Sequence, residues 1–343
     1  MFPPTFTSQI EQDGKWLTVE AIDGLPTDVH KIFRYENTLG LFRENYDDIF
    51  PALQIGSMIL DNPHALRFFW GLEHCRNEQM KYPSDEPEWL EVSFRAPEQQ
   101  LTPDQILAAK EFLDVLAENV QFGLIAETKL AGCCSRFPKQ LNGPIREPES
   151  YITIGLKYFS EVLEWDSRPY PQALQTWLTL AMTLVHEIAH AAGHATCPDG
   201  MDIYFADEPL LELGFALESY LCGGSLNEKE PMGGMVLRPW PTQRFNEEYD
   251  RNPETQNMWP RGPLLEEEIV HEIQIVDWVK YFSADFWDSP ATKSGEGLKF
   301  PKGAGKVWRW KKVNDQWEYS ELTPAARALC LATSTDTGED ESE

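Results

Sequence analysis

Five consecutive residues, His186-Glu187-Ile188-Ala189-His190, combine two imidazoles and a carboxylate at a spacing that suits metal chemistry. On an α-helix, residues four apart lie one above the other, so His186 and His190 can offer two ring nitrogens to one ion. Glu187 is one step round, close enough to hold a water without being a ligand itself. The pattern predicts a catalytic zinc that keeps one coordination position open for water, with Glu187 as general base. A pattern this short recurs in unrelated chains, so its weight comes from its surroundings. From Pro171 to Val185 the chain contains no internal Gly or Pro, and Pro171 suits a helix start. Leu174, Trp177, Leu178, Ala181, Met182, Val185, Ile188 and Ala189 cover most of the circumference, which predicts a helix buried on nearly every side. Histidines and a glutamate in that setting need partners, because an unpaired polar group there is costly. The competing reading is a pair of core histidines satisfied by backbone carbonyls.

A zinc site with two histidines requires a third protein ligand. A second helix, rich in carboxylates, is expected a short way downstream, with Asp207 as cap, Pro209 in the first turn and Gly223-Gly224 as the stop. It carries Glu212 and Glu218, 22 and 28 residues beyond His190.

With these residues in view, the chain resembles the gluzincin group of zincin metallopeptidases, in which H-E-x-x-H supplies two ligands and a Glu on a following helix the third. The resemblance implies His186 and His190 as ligands and Glu187 as general base. Glu218, five residues ahead of Gly223-Gly224, is similar to the ligand Glu preceding Phe-Gly-Gly in clostridial neurotoxin light chains, with Cys222 in place of that Phe. Glu212, in Glu-Leu-Gly-Phe-Ala, is similar to the Glu-Gly-Phe-Ala ligand segment of aminopeptidases, with one residue inserted. Glu218 is the expected third ligand and Glu212 the alternative; the other carboxylate is expected to orient a ligand histidine. The likeness spans Tyr151 to Gly224 and is specific only in the two helices.

Other ligands fit less well. His194 continues the face of His190, but three ligands stacked along one helix give poor tetrahedral geometry. The longer metzincin motif is absent, since position 196 is Thr. Cys197 sits in a loop. Tyr204, Tyr220, His194, His271 and Arg238 are all conceivable oxyanion donors, and the sequence does not choose among them.

The elements that must position this chemistry are legible in part. The chain is long and aromatic enough for a large core, with 343 residues, 12 Trp, 18 Phe and 11 Tyr. Short strands are expected at Lys15 to Asp23, Glu88 to Ala96 and Tyr151 to Phe159. The last of these, directly before the histidine helix, forms by the resemblance the cleft edge along which an extended peptide pairs, and reads equally well as an ordinary sheet strand. Helices are expected at Pro63 to Gln79, where His64 and His74 read as structural, and after the capping box Thr102-Pro103-Asp104-Gln105. Gly132 to Pro148 reads as loop. Pro231 to Pro263 looks irregular, with Met232-Gly-Gly-Met near a cleft rim, and Leu264 to Trp287 reads as helical. Gly305 to Ser320 reads as a hairpin turning at Asn314-Asp315.

Charge and composition narrow the partners. Acidic residues outnumber basic ones, 56 to 29, and the net charge of −27 disfavours nucleic acid and anionic membrane surfaces. No apolar run reaches the roughly 20 residues of a membrane span, and no secretory signal pattern is visible at the start. Six sparse cysteines without C-x-x-C suit a reduced, cytoplasmic protein. The expectation is therefore an α+β, zincin-like fold of two lobes, with the histidine helix beneath a small mixed sheet. One catalytic domain would span residues 1–332, its lobes meeting near 195, followed by a disordered acidic tail at 333–343. It would bind Zn2+ and hydrolyse peptide or protein substrates. The alternatives are a non-catalytic binding protein on the same fold and a zinc hydrolase of small metabolites.

Overall fold

The computed structural model describes residues 6–12, 15–21, 25–81, 89–126, 131–136, 150–164, 170–197, 203–228, 234–250 and 263–328. Among them the chain mixes helices and sheets, as an α+β protein does. Its axis is the helix Tyr170–Thr196, 27 residues and about 40 Å long. The apolar residues round this helix bury it: Leu174, Leu178, Ala181, Leu184, Ile188 and Ala189 are all inaccessible to solvent. Helices Tyr46–Asp61, Pro63–His74 and Leu213–Cys222 pack against it. Trp177 Nε1 donates to the carbonyl of Asp48 at 3.1 Å, which fixes the first of these contacts. No helix among the described residues is long and apolar enough to cross a membrane.

A three-stranded mixed sheet lies against the same helix. Its order is Val120–Ile125, Ser150–Gly155, Gly132–Arg136, with the first pair parallel and the second antiparallel. The expected strand Tyr151 to Phe159 is present as an ordinary sheet strand, and its end and its expected cleft-edge role need correcting. It ends at Gly155, after which Leu156–Leu163 is a helix, and it lies in the middle of its sheet, with both edges hydrogen-bonded. Of its two outer strands among the described residues, the one antiparallel to the middle strand is Gly132–Arg136, in a stretch whose Gly and paired Cys read as loop. Residues 137–149 of that stretch lie outside the described residues.

A second small sheet pairs Arg76–Lys81 with Trp89–Phe94, and Trp89–Phe94 in parallel with Ile203–Phe205. The chain beyond the long helix thus returns to the first half, and one hydrophobic core runs from Leu25 to Phe300. Helix Pro63–His74 stops earlier than its pattern suggested. Arg76 donates to the carbonyls of Leu72 and Thr196 at 3.1 and 2.6 Å, closing the helix end and tying it to the long helix. The capping box before Pro103–Ala117 is present: Thr102 Oγ1 accepts from Gln105 N–H at 3.4 Å, and Gln105 Oε1 from Thr102 N–H at 2.9 Å.

The remaining chain builds a five-stranded antiparallel sheet in the order Gln316–Glu321, Val307–Val313, Glu267–Glu272, Met235–Arg238, Ser225–Glu228. Its hairpin turns at Asn314 and Asp315, both at positive φ, with Trp310 against Tyr319 across the strands at 4.9 Å. Strand Glu267–Glu272 replaces the first part of the expected helix at Leu264 to Trp287; the rest holds the short helices Ile275–Val279 and Ala284–Asp288 with a 3-10 turn, Lys280–Phe282, between them. The reason is Glu268. Fully buried, it accepts from Arg238 Nε, Arg244 Nη1 and Thr242 Oγ1 at 2.7, 2.8 and 3.0 Å, so a charged residue fills an inward strand position. Helix Gln243–Asp250 lies in the segment read as irregular. Residues 229–233, 251–262 and the acidic tail 333–343 lie outside the described residues.

Two buried histidines outside the long helix carry a pH signature. Burial lowers His64 from 6.5 to about 4, assisted by Arg67 and Lys299 and opposed by Glu296 and its bond to the Tyr220 carbonyl. Burial, with Lys302 and Arg327, likewise lowers His271 from 6.5 to about 4. The folded chain favours each neutral imidazole, so the unfolded chain takes up the proton first. Each group should then cost roughly 3 kcal/mol of stability as pH falls through that window, and no more below it. Urea midpoints measured from pH 7 to 4 should fall steeply, and the double variant His64→Gln/His271→Gln should show a flatter slope whatever its baseline.

Candidate metal centre

His186 and His190 stand one turn apart with ring centroids 5.2 Å from each other. Their Nε2 atoms converge on one oxygen of Glu212. Oε1 lies 2.5 Å from His190 Nε2 and 3.3 Å from His186 Nε2. Among the described residues these three are the group of ligand-type side chains able to share an ion, all donor atoms lying within 4.8 Å of one another. Tetrahedral zinc with bonds near 2.0–2.1 Å separates its ligand atoms by about 3.3 Å, so small adjustments would close the set round an ion.

Glu212 reaches this position because it is the N-cap of Leu213–Cys222. Its backbone is extended (φ −151°, ψ 91°), and its other oxygen, Oε2, accepts from Phe215 N–H at 2.6 Å. The sequence signals put that helix start near Asp207 and Pro209, but those residues precede the helix. Cys222 ends it at Gly223, which is left-handed at φ +81° and so suits glycine.

Glu218, the expected third ligand, does not join the group. It lies on the far side of His186, with Oε1 2.7 Å from Nδ1 and Oε2 accepting from Leu226 N–H at 2.9 Å. Glu218 therefore faces the ring nitrogen that is turned away from Glu212, and it fixes the ring's orientation. The positions of the two carboxylates differ from the expectation: Glu212, at the later helix start, lies beside both Nε2 atoms, and Glu218 lies at Nδ1 of His186.

Glu187 is 4 % exposed. A methyl group on Gly132 would meet its Oε1 at 2.6 Å, so the start of the outer strand lies directly against this carboxylate. Burial raises the Glu187 pKa, opposed by the two histidines. Burial alone would lower both imidazoles, but the charge and hydrogen bonds of Glu212 raise them, and Glu218 adds to the rise at His186. The same two imidazoles overcome burial at Glu212 and hold its carboxyl well below the usual range.

Some contributors carried no ligand signature in the sequence. A Cβ on Gly214 would fall 2.2–2.3 Å from three atoms of the His186 ring, so only glycine lets the backbone approach there. A glycine in the first turn of a helix was the available signal, since it costs helix stability and implies a packing reason. Phe215 sets its ring edge-on to His186 at 4.6 Å. Of the conceivable oxyanion donors, Tyr220 stacks on His64 at 4.2 Å, Arg238 is engaged by Glu268 and Glu248, and His271 lies in the five-stranded sheet. Tyr204 lies on the strand beside Trp89–Phe94, and His194 contacts Cys134. Cys197 is buried and its backbone N–H bonds to Gly193 O at the end of the long helix.

Zinc titration should rank the variants. Glu212→Ala and Gly214→Ala should remove binding, the latter despite the better helix propensity of Ala. Glu218→Gln should weaken it by about 10–100-fold, as loss of a carboxylate behind a ligand histidine does. Equal losses from Glu212→Ala and Glu218→Ala, with Gly214→Ala unaffected, would contradict the geometry.

No protein-family model, curated protein or solved structure matches this chain.

Proposed function

We propose that the protein is a zinc-dependent metallopeptidase of zincin type, with His186, His190 and Glu212 as ligands and Glu187 as general base. The observation that carries the reading is the convergence of those three donors beside a fourth buried acid, Glu187. The donor chemistry fits the ion. Two imidazoles and one carboxylate are a common set for catalytic zinc. Three carboxylates face only two imidazoles in this buried space, and neutral imidazoles would leave three negative charges that a divalent cation offsets.

Zinc bound there would supply Lewis-acid chemistry, acidifying water and polarising a carbonyl. The chain's own residues do the rest. Glu187, its pKa raised by burial, takes the proton of the attacking water and passes it to the leaving amine. Glu218 keeps His186 in the tautomer that presents Nε2. Phe215 N–H holds one oxygen of Glu212 so that the other stays directed at the imidazoles.

A peptide substrate is favoured over a small metabolite by the strand beside Glu187. Among the described residues Gly132–Arg136 is an outer strand of its sheet, and its Gly132 end abuts the Glu187 carboxylate. An extended chain hydrogen-bonded to that edge would bring a backbone carbonyl to the site.

The test is a peptide-library assay on zinc-loaded protein beside Glu187→Gln. The variant should keep its zinc yet lose at least about 10²-fold in cleavage, the share usual for a general base. Stripping zinc with a chelator should abolish cleavage and re-addition restore it. Zinc-loaded protein that cleaves no peptide would refute the reading, as would undiminished cleavage by Glu187→Gln.

A further inference from the structure

Away from the long helix, three basic side chains gather at one end of the five-stranded sheet. His271 lies opposite Leu237 and Val307 in register, so its side chain shares their face of the sheet. The loop leading into Val307 is pinned beside the strand of His271. Glu272 N–H donates to Lys306 O at 2.8 Å, and Lys306 N–H donates to Glu272 Oε2 at 2.9 Å. Leu322 N–H donates to Val307 O at 2.8 Å, which brings the segment after Gln316–Glu321 to the same corner. From that segment Arg327 reaches back, and its Nη1 donates to Gly303 O at 3.5 Å. Lys302 is the residue before Gly303.

The hydrogen bonding of this group is incomplete. His271 is 8 % exposed, and its Nδ1 is buried with no partner. Arg327 Nε is buried without one too. Buried polar atoms left unpaired are costly and rare, so each asks for a partner. Among the described residues no carboxylate forms an ion pair with any of the three. Burial, then Lys302 and Arg327, lower the His271 pKa, and no acid opposes them. The neighbouring acids are engaged elsewhere: Glu267 by Arg309, Glu272 by the Lys306 amide and Glu296 by Lys299. Lys302 is exposed, so the group opens to solvent.

We propose that His271, Lys302 and Arg327 form a binding site for a phosphate-type oxyanion, either the free ion or a phosphate monoester. With Nη1 on Gly303, the edge formed by Nε and Nη2 of Arg327 is left for two oxygens of one ion, the bidentate mode typical of guanidinium. His271, in the tautomer protonated at Nδ1, donates to a further oxygen, and Lys302 adds a point charge on a flexible stem. A tetrahedral ion has oxygens enough for donors arriving from three segments of chain, whereas a carboxylate has two. The two cations also match its charge of about −1.5 to −2 at pH 7. The net charge of −27 repels anions elsewhere on the molecule, so binding here is a property of the cluster. None of this depends on the metal centre.

The probe is inorganic phosphate titrated calorimetrically into the full chain, with ionic strength held constant by potassium chloride. Saturable binding of one ion per chain is expected. By NMR the His271 imidazole should titrate at higher pH with phosphate than without, because a nearby anion favours its charged form. Lys302→Gln and Arg327→Gln should each weaken binding at least about tenfold, the usual loss for one charged hydrogen bond. Lys302 lies at the surface, so its variant reports on the site even where Arg327→Gln unfolds. Phosphoserine is the second arm: affinity equal to that of phosphate assigns the site to monoesters, and weaker binding assigns it to the free ion. Acetate should not compete. The proposal is overturned by the absence of saturable phosphate binding, by equal affinity for acetate, or by binding that survives Lys302→Gln unchanged.

Discussion

Charge buried inside an apolar helix bundle has to be compensated where it lies. Glu187, Glu212 and Glu218 are each at least nine-tenths buried, close to His186 and His190. Carboxylates removed from water are tolerated only when paired or hydrogen-bonded. Each of the two on the following helix therefore has one oxygen on an imidazole and the other on a backbone N–H, from Phe215 for Glu212 and Leu226 for Glu218. Those amides are fixed by the helix start and by the first strand of the five-stranded sheet. Secondary structure here is the means by which buried charge is held.

A second shell of aromatic packing carries this requirement outward. Phe215 presses on His186 and on Trp240 and Phe245, at 5.1 and 4.5 Å, in a small cluster separate from the main core. Arg238 lies over Phe245 at 4.7 Å and is itself held by Glu268, which also binds Arg244. Removing one partner from so buried a pair typically costs about 3–5 kcal/mol, because the other charge is stranded. The sheet thus supports the site at two points, through the Leu226 amide and through this cluster. Its inward glutamate does for the sheet what Glu212 and Glu218 do for the helix pair.

Much of this was legible in the sequence, and the limits have physical causes. The long helix announced itself through uninterrupted apolar periodicity, and the pairing of His186 with His190 follows from the pitch alone. The two glutamates could be named, but their roles could not be ordered. Residues six apart on a helix point about 120° from each other, so which carboxylate faces both imidazoles is decided by where the helix begins. Asp207 and Pro209 formed a plausible start, and the real one lies at Glu212 because its side chain caps the Phe215 amide. Strand Glu267–Glu272 escaped for a related reason: periodicity assumes that charge faces water, and Glu268 does not. The outer strand escaped because Gly132 and two cysteines look like loop, whereas glycine is there to admit a carboxylate.

The choice of an N-cap residue beside the two imidazoles has a consequence of its own. A cap carboxylate sits at the positive end of the helix dipole and accepts an amide hydrogen bond, and both favour its ionised form. Together with the two imidazoles, this keeps Glu212 charged well into acid. At Glu187, one step along the long helix from His186, burial is the larger influence and pushes the pKa up instead. Two buried acids that both lie beside His186 and His190 are thereby driven in opposite directions. Under the proposed function, the first stays an anion able to hold a cation and the second can accept and release a proton. Environment, and not residue type, divides the labour between them.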